Sequence, residues 1–304
     1  MVVPLVVLLT LAASVNGLGR QSGSVASTAA TAPVDRSWPE VDLNVLVLAS
    51  HGAPQKIEER EFELLQDGTK HPLDVGSSPD SPVSLALVID SSGSIFKRKD
   101  EIAAAVKTIV KALPDGSEVM AVLFADLAFL DVPFTPCSKV DFSFLEHLDG
   151  RGGTALFDAV VATENYVAAK ARYPRRALVV ISDGGDNGST LSLAQAIVRM
   201  QWPGAPMLYA VHVHNSGLKY GGAYRGKRIM ELLAEATGGI AFTTKEKDIQ
   251  SAVEGITGMI RDQYVLHFTA ADPARDRRAS KLEVRLPNKD LQIHAQPTYF
   301  APSK

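Results

Sequence analysis

Between Pro82 and Asp262 short apolar runs alternate with longer amphipathic stretches. The runs at 83–89, 119–124, 128–132, 177–182, 207–213 and 240–243 read as strands. The segments 97–113, 142–148, 155–172, 191–201, 227–236 and 246–261 read as helices. Ile102, Val106, Ile109, Val110 and Leu113 keep the spacing of one apolar helix face. Strands alternating with helices of this size predict an α/β fold: a doubly wound, mostly parallel six-stranded sheet with helices on both faces.

The flanks follow a different period. Residues 41–48 alternate with period two and predict a half-buried strand, and 62–65 run as a second strand into the tight turn Gln66-Asp67-Gly68-Thr69. After Asp262 the same alternation returns at 264–268, 281–286 and 291–294. Two β pieces of this size are too small to hold a core singly. They predict one small β-sandwich-like domain built from segments 40–81 and 263–304, with the α/β domain, 82–262, inserted into it. The stretch from Ser77 to Pro82 reads as a linker.

The first 39 residues change the picture of where the chain works. An apolar run from Val2 to Ala13, too short to span a bilayer, is followed by small polar residues with a cleavage point at Val15-Asn16-Gly17. Residues 1–17 are therefore expected to be a secretory signal, with an uncleaved anchor or a misassigned start as alternatives, because no Lys or Arg precedes the run. Residues 18–39, rich in Gly, Ser, Ala, Thr and Pro, are expected to form a disordered linker. No other stretch is long enough to cross a membrane. Cys137 is the single cysteine, so no disulfide forms within the chain and no lipid-attachment cysteine follows the signal.

In 304 residues, 46% hydrophobic and 21% charged, there is ample material for a core. The net charge of −3 and the scattered basic residues give no electrostatic footprint for nucleic acid; Arg275, Arg277, Arg278 and Lys281 are interrupted by Asp272, Asp276 and Glu283.

The chemistry is concentrated in three loops. Leu85-Ala86-Leu87-Val88-Ile89 reads as a strand buried on both faces, and it ends in Asp90-Ser91-Ser92-Gly93-Ser94. Asp90, Ser92 and Ser94 offer oxygens at alternate positions, suited to a hard cation such as Mg²⁺ or to capping the next helix. The loop from Gly150 to Leu156 brings the Thr154 hydroxyl to a helix start, and the strand 178–182 ends in Asp183-Gly184-Gly185-Asp186. In a doubly wound sheet such loops emerge together beyond the carboxyl ends of the strands.

This combination resembles the von Willebrand factor A domain, the integrin I-like fold. The family has Asp-x-Ser-x-Ser, a Gly-Gly-Thr-like loop and a Ser/Thr-Asp-Gly turn in that order, matched here by Asp90 to Ser94, Gly153-Thr154 and Ser182-Asp183-Gly184. The resemblance covers about 82–262. The flanks resemble bacterial proteins in which β segments bracket such a domain; Glu61-Phe62-Glu63-Leu64-Leu65-Gln66-Asp67-Gly68 carries that likeness, and Thr298-Tyr299-Phe300 matches a Gly-Tyr-Phe-like ending only loosely. The resemblance implies a bound Mg²⁺, or Mn²⁺ or Ca²⁺. Ser92, Ser94 and Thr154 would contact the metal through hydroxyls, and Asp90 and Asp183 directly or through water. It also implies an exported, adhesion-type module whose protein partner presents an Asp or Glu to the metal.

Other residues are weighed against this reading. Asp186 is read as a turn residue ordering the following helix rather than as a metal partner. His212 and His214 share a strand face without an identifiable third ligand, and Cys137 has no neighbourhood that would activate it. An enzyme would need a general base, and the three loops contain no His or Glu. Neither Gly-x-Gly-x-x-Gly, a P-loop nor a Gly-x-Ser-x-Gly elbow is present. A Mg-dependent phosphoryl-processing enzyme and an accessory subunit of a chelatase or AAA+ assembly are the alternatives.

Overall fold

The computed structural model describes residues 3–4, 40–77, 80–202, 204–214, 222–244, 249–270, 279–288 and 290–300. The signal and linker expected over 1–39 lie outside these, apart from residues 3–4. In chain order the strands are β1 Val3–Pro4, β2 Glu40–Ala49, β3 Glu63–Gln66, β4 Thr69–His71, β5 Asp74–Ser77, β6 Ser84–Asp90, β7 Glu118–Phe124, β8 Ala128–Pro136, β9 Arg176–Ser182, β10 Met207–Val213, β11 Ala241–Thr244, β12 Tyr264–Thr269, β13 Ala279–Arg285, β14 Leu291–Ala295 and β15 Thr298–Phe300. The helices are α1 Lys99–Ala112, α2 Leu156–Lys170, α3 Leu193–Met200, α4 Gly222–Ala236 and α5 Ile249–Arg261.

The main sheet has the order β1-β8-β7-β6-β9-β10-β11. Strands β7, β6, β9, β10 and β11 are parallel, and β8 returns antiparallel on β7. The six expected strands are all present, and Val3–Pro4 adds a two-residue seventh against Leu130 and Phe129. Strand β6 has no polar alternation because it has no solvent face. Leu85, Leu87 and Ile89 pack with Ile102, Ile109 and Ile256 of α1 and α5, while Ala86 and Val88 pack with Val160 of α2 and Met230 of α4. The segment 142–148 forms a 3₁₀ turn, Phe142–His147, rather than an α-helix. It is too short to nucleate well, and the Asp141 carboxylate accepting from the Ser143 amide holds the tighter winding.

The flanks form two four-stranded sheets, β14-β2-β12-β5 and β15-β13-β3-β4, each drawing strands from both sides of the α/β block. Their facing sides share a core that includes Val41, Val45, Leu64, Leu266, Phe268 and Val284. The turn between β3 and β4 is the Asp-Gly turn, with Asp67 at φ 50° and Gly68 at φ 82°.

Two expectations need correction. Strand β2 is buried on both faces, not half-buried: Val41, Leu43, Val45 and Val47 line the sandwich core, while Leu46 and Leu48 belong to the core of the α/β domain. Its polar position on that second face, Asn44, is 4% exposed. The Asn44 side chain donates to the Ala205 carbonyl (3.4 Å) and accepts from the Arg176 amide (3.3 Å) and the buried Gln263 side chain.

In the segment expected as a linker, the described residues Ser77, Asp80 and Ser81 are likewise fastened rather than free. Ser77 pairs with Val265 at the end of β5. The Asp80 amide donates to the Arg261 carbonyl (2.8 Å), and the Arg261 guanidinium donates back to Asp80 Oδ1 (2.8 Å). Arg175, fully buried, donates to the Ser81 carbonyl (2.6 Å) and to the Ile260 and Arg261 carbonyls, satisfying acceptors that the end of α5 leaves open. Burial lowers its pKa to about 10, so it remains a cation at neutral pH.

Because Leu46 is fully buried where the sandwich strand meets the α/β core, Leu46→Ala should cost about 2–5 kcal/mol of stability in denaturant titration. A loss below about 1 kcal/mol would mean that the two cores are not joined through β2.

Candidate functional site

The chain leaves β6 for β7 and β8 on one side and returns to β9 on the other. The β6/β9 boundary is thus the place where strand order reverses, and a crevice opens there beyond the carboxyl ends. Asp90 closes β6, and Asp183 follows Ser182, the last residue of β9. Both carboxylates are buried, at 1% and 2% exposure.

Asp90 is held from two sides. Its Oδ1 accepts from the Ser92 amide (2.8 Å) and its Oδ2 from the Ser182 hydroxyl (2.7 Å), which in turn accepts from the Gly184 amide (3.0 Å). Asp183 Oδ1 accepts from the Gly185 amide (3.0 Å). The Ser92 and Ser94 hydroxyls lie 3.0 Å apart. Gly184, at φ 73°, permits a close approach: a Cβ there would stand 2.3 Å from the Gly226 carbonyl oxygen of α4.

Thr154 is buried just before α2, and its position comes from two other loops, those after β7 and β9. The Thr154 amide donates to Asn187 Oδ1 (2.8 Å), and its carbonyl accepts from the Asn187 and Gly188 amides (2.9 and 3.0 Å). The Gly153 amide donates to Asp126 Oδ1 (2.6 Å), beyond the end of β7, and the Ala155 amide to the Ala125 carbonyl (2.7 Å). Asp186 Oδ2 accepts from the Phe157 amide (3.0 Å), and Ser189 Oγ accepts from the Asp158 amide (3.1 Å). Open N–H groups of the first turn of α2 are therefore satisfied by the loop after β9. Asp158 completes the clasp by accepting from the Thr190 and Leu191 amides (2.8 and 3.0 Å).

Asp186 is thus a turn residue as expected, but the helix it orders is α2, which precedes it in the chain. Asp126, Asp158 and Asn187 are positioning residues that the sequence reading did not single out. Only the Asp-Asn-Gly run at 186–188 carried a local signal for any of them. Of the other candidates, His212 is buried, and burial lowers its pKa. Among the described residues no three His, Cys, Asp or Glu side chains gather as a metal-binding group. Burial pushes the Cys137 thiol up to about 11, which leaves it unreactive at neutral pH.

The donor set fits a small divalent cation. Adjacent ligands of an octahedral Mg²⁺ at 2.0–2.1 Å stand about 3 Å apart, the separation of the Ser92 and Ser94 hydroxyls. Burial, with the neighbouring Asp183 charge adding to it, raises the Asp90 pKa to about 6 even against its hydrogen bonds to Ser92 and Ser182. No cationic side chain hydrogen-bonds Asp90 among the described residues. A buried anion so placed is an acceptor in want of a positive charge.

A doubly wound domain with two carboxylates and three hydroxyls on its switch-point loops defines a class of fold and site. The von Willebrand factor type A domain pattern matches residues 85–185, from β6 through the Asp183 turn. That match spans 101 of the 304 residues, and over them the chain is similar to the von Willebrand factor type A domain. Similar solved structures include a von Willebrand factor type A protein from Catenulispora acidiphila, at 12% identity and TM-score 0.49 over 87% of this chain and 74% of that one. An aerotolerance-related membrane protein from Bacteroides fragilis, solved with multiple mutations to serines, gives 17% and 0.44 over 59% and 98%. The open conformation of the pilus adhesin SpaC from Lactobacillus rhamnosus GG gives 9% and 0.49 over 85% and 48%. No curated protein matches the chain.

Two outcomes follow from the geometry. Asp186→Ala should cost about 1–2 kcal/mol, as the loss of a helix cap does, and show in the thermal midpoint. The Asp90 pKa is raised on folding, from 3.8 to about 6, so the folded state binds the extra proton and its stability falls as pH rises through that window. Without divalent metal, Asp90→Asn should therefore gain on the wild type between about pH 4 and pH 6, by up to about 3 kcal/mol. Denaturation curves at pH 4, 5, 6 and 7 measure it, and an unchanging gap would show that the carboxylate is not destabilised by burial.

Proposed function

We propose that this is a binding module of the adhesion type, which holds Mg²⁺, or Mn²⁺ or Ca²⁺, on Asp90, Ser92, Ser94, Thr154 and Asp183, and captures a carboxylate of a protein partner. The observation that carries the reading is the buried Asp90 carboxylate, next to a pair of hydroxyls spaced like one edge of an octahedron. When bound, the cation supplies a positive charge and exchangeable coordination positions at the mouth of the crevice. Ser92, Ser94 and Thr154 are neutral donors, so they withdraw little of that charge. Asp90 and Asp183 would hold the cation, directly or through water, and the charge it supplies would favour an incoming Asp or Glu.

A binding role is favoured over catalysis because the three loops present no His or Glu to move a proton. Among the described residues no helix is long and apolar enough to cross a membrane. With the apolar run at 2–13 read as a signal, the proposed site of action is the cell surface, the periplasm or the medium.

Added Mg²⁺ or Mn²⁺ should raise the melting temperature of the wild type through preferential binding to the folded chain, and Asp90→Asn should abolish the rise. Thr154→Ala removes one hydroxyl without changing the charge and should reduce it. Equal shifts in wild type and Asp90→Asn would remove the metal from this reading.

A further inference from the structure

The chain holds two Asn-Gly pairs, at 16–17 and 187–188, and only the second lies within the described residues. Asn followed by Gly is the pair in which a peptide nitrogen most readily attacks the preceding side-chain amide, because no Cβ on the second residue shields that nitrogen. Asn187 and Gly188 are both exposed, so water has access to the pair. They are also the residues that brace Thr154.

The brace engages both groups that would react. The Gly188 amide donates to the Thr154 carbonyl (3.0 Å), which holds the proton that the nitrogen has to lose. Oδ1 of Asn187 accepts from the Thr154 amide (2.8 Å), and it is packed so closely that a Cβ on Gly153 would stand 2.5 Å from it. Ring closure therefore requires the loop after β9 to leave Thr154, and its rate is set by how often that local opening occurs. Opening is opposed by bonds on either side of the pair: Asp186 holds the Phe157 amide, and Asp158 holds the Thr190 and Leu191 amides.

We propose that Asn187 is a site of self-modification, which permanently releases the Thr154 loop once the clasp has opened. The Gly188 nitrogen gives up its proton and bonds to Cγ of Asn187; the Cγ–Nδ2 bond breaks, and ammonia leaves with that proton. Water then opens the cyclic imide. Attack at Cγ restores the ordinary backbone with Asp at 187, while attack at the main-chain carbonyl carbon gives isoaspartate, in which the backbone runs through the former side chain. Nothing is oxidised or reduced, and water is the sole co-reactant. Asp at 187 still offers a carboxylate oxygen to the Thr154 amide. Isoaspartate does not: its Cγ oxygen has become a peptide carbonyl and the backbone is longer by a carbon, so the register of 187 and 188 against Thr154 is lost. The reaction needs no cation in the crevice and is independent of the binding role proposed above.

The test ages the full chain in mildly alkaline buffer and follows the peptide spanning 187–188 by mass spectrometry, with isoaspartate told from Asp by fragmentation. The same chain in urea gives the rate without the clasp. Conversion at 187 should be at least about tenfold slower in the folded chain than in urea. Asp186→Ala should speed it about 5–30-fold, the factor that corresponds to a loss of about one to two kcal/mol; Asp158→Ala takes its place if that variant does not fold. Gly188→Ala should suppress conversion in urea as well, and the fold accommodates it, since a Cβ there meets its nearest atom at 3.5 Å. Isoaspartate-bearing protein, separated from the aged sample, should melt lower than Asn187→Asp, which has the same charge on an ordinary backbone. Conversion as fast in the folded chain as in urea, or a rate that neither brace variant raises, overturns the proposal. Isoaspartate protein that melts like Asn187→Asp overturns the release of the Thr154 loop.

Discussion

The site depends on one buried charge. Asp90 ends a strand that is apolar on both faces, so its carboxylate is carried to the crevice floor by the packing of the whole sheet. Two hydrogen bonds, from a hydroxyl and an amide, fix its direction without neutralising it. Burial therefore works against the ionised form, and the loops after β7 and β9 are braced around it. The domain keeps an unfavourable electrostatic arrangement at the end of its fully buried central strand, where surrounding structure can hold it.

The bracing explains why three loops distant in sequence behave as one object. Gly153 is tied to Asp126 and Thr154 to Asn187, while the first turn of α2 donates to Asp186 and Ser189. Each bond uses a backbone amide that would otherwise be left open at a loop or a helix start. The Thr154 hydroxyl is thereby set by backbone geometry rather than by its own side-chain contacts, so preorganisation rests on residues that need never touch a ligand.

Much of this was legible in the sequence, and what was not has a definite cause. The β6 run could be read because burial on both faces removes polar alternation altogether, and a carboxylate closing such a run is conspicuous. The Asp-Gly turn was legible because positive φ at both positions restricts the choice of residue. Strand β2 misled for the converse reason: Asp42 and Asn44 imitate a solvent face, yet Asn44 is buried in a polar network with Gln263 and Arg176. The tie from Asp80 to Arg261 spans 181 residues and that from Asp126 to Gly153 spans 27. Neither leaves a mark on local periodicity, so the fastened segment looked like a linker and Asp126 like an ordinary loop acid. A cavity of about 330 Å³ beside these loops has no sequence signature, since its lining comes from the turn after β7, from β8 and from the loop around 147–152.

The pairing of β5 with β12 also decides how the molecule bears load. The α/β block leaves the sandwich after Ser77 and re-enters it at Tyr264, on two neighbouring strands that are hydrogen-bonded to each other, with Asp80 and Arg261 clasped just outside them. A pull between the β2 end and the β15 end of the chain is carried by the ladders joining β2 to β12 and β14 and β13 to β3 and β15. The inserted block hangs as a closed side loop off that path. The strands that carry Asp90 and Asp183 belong to none of those ladders, so a path between the two ends runs through the sandwich and bypasses the crevice.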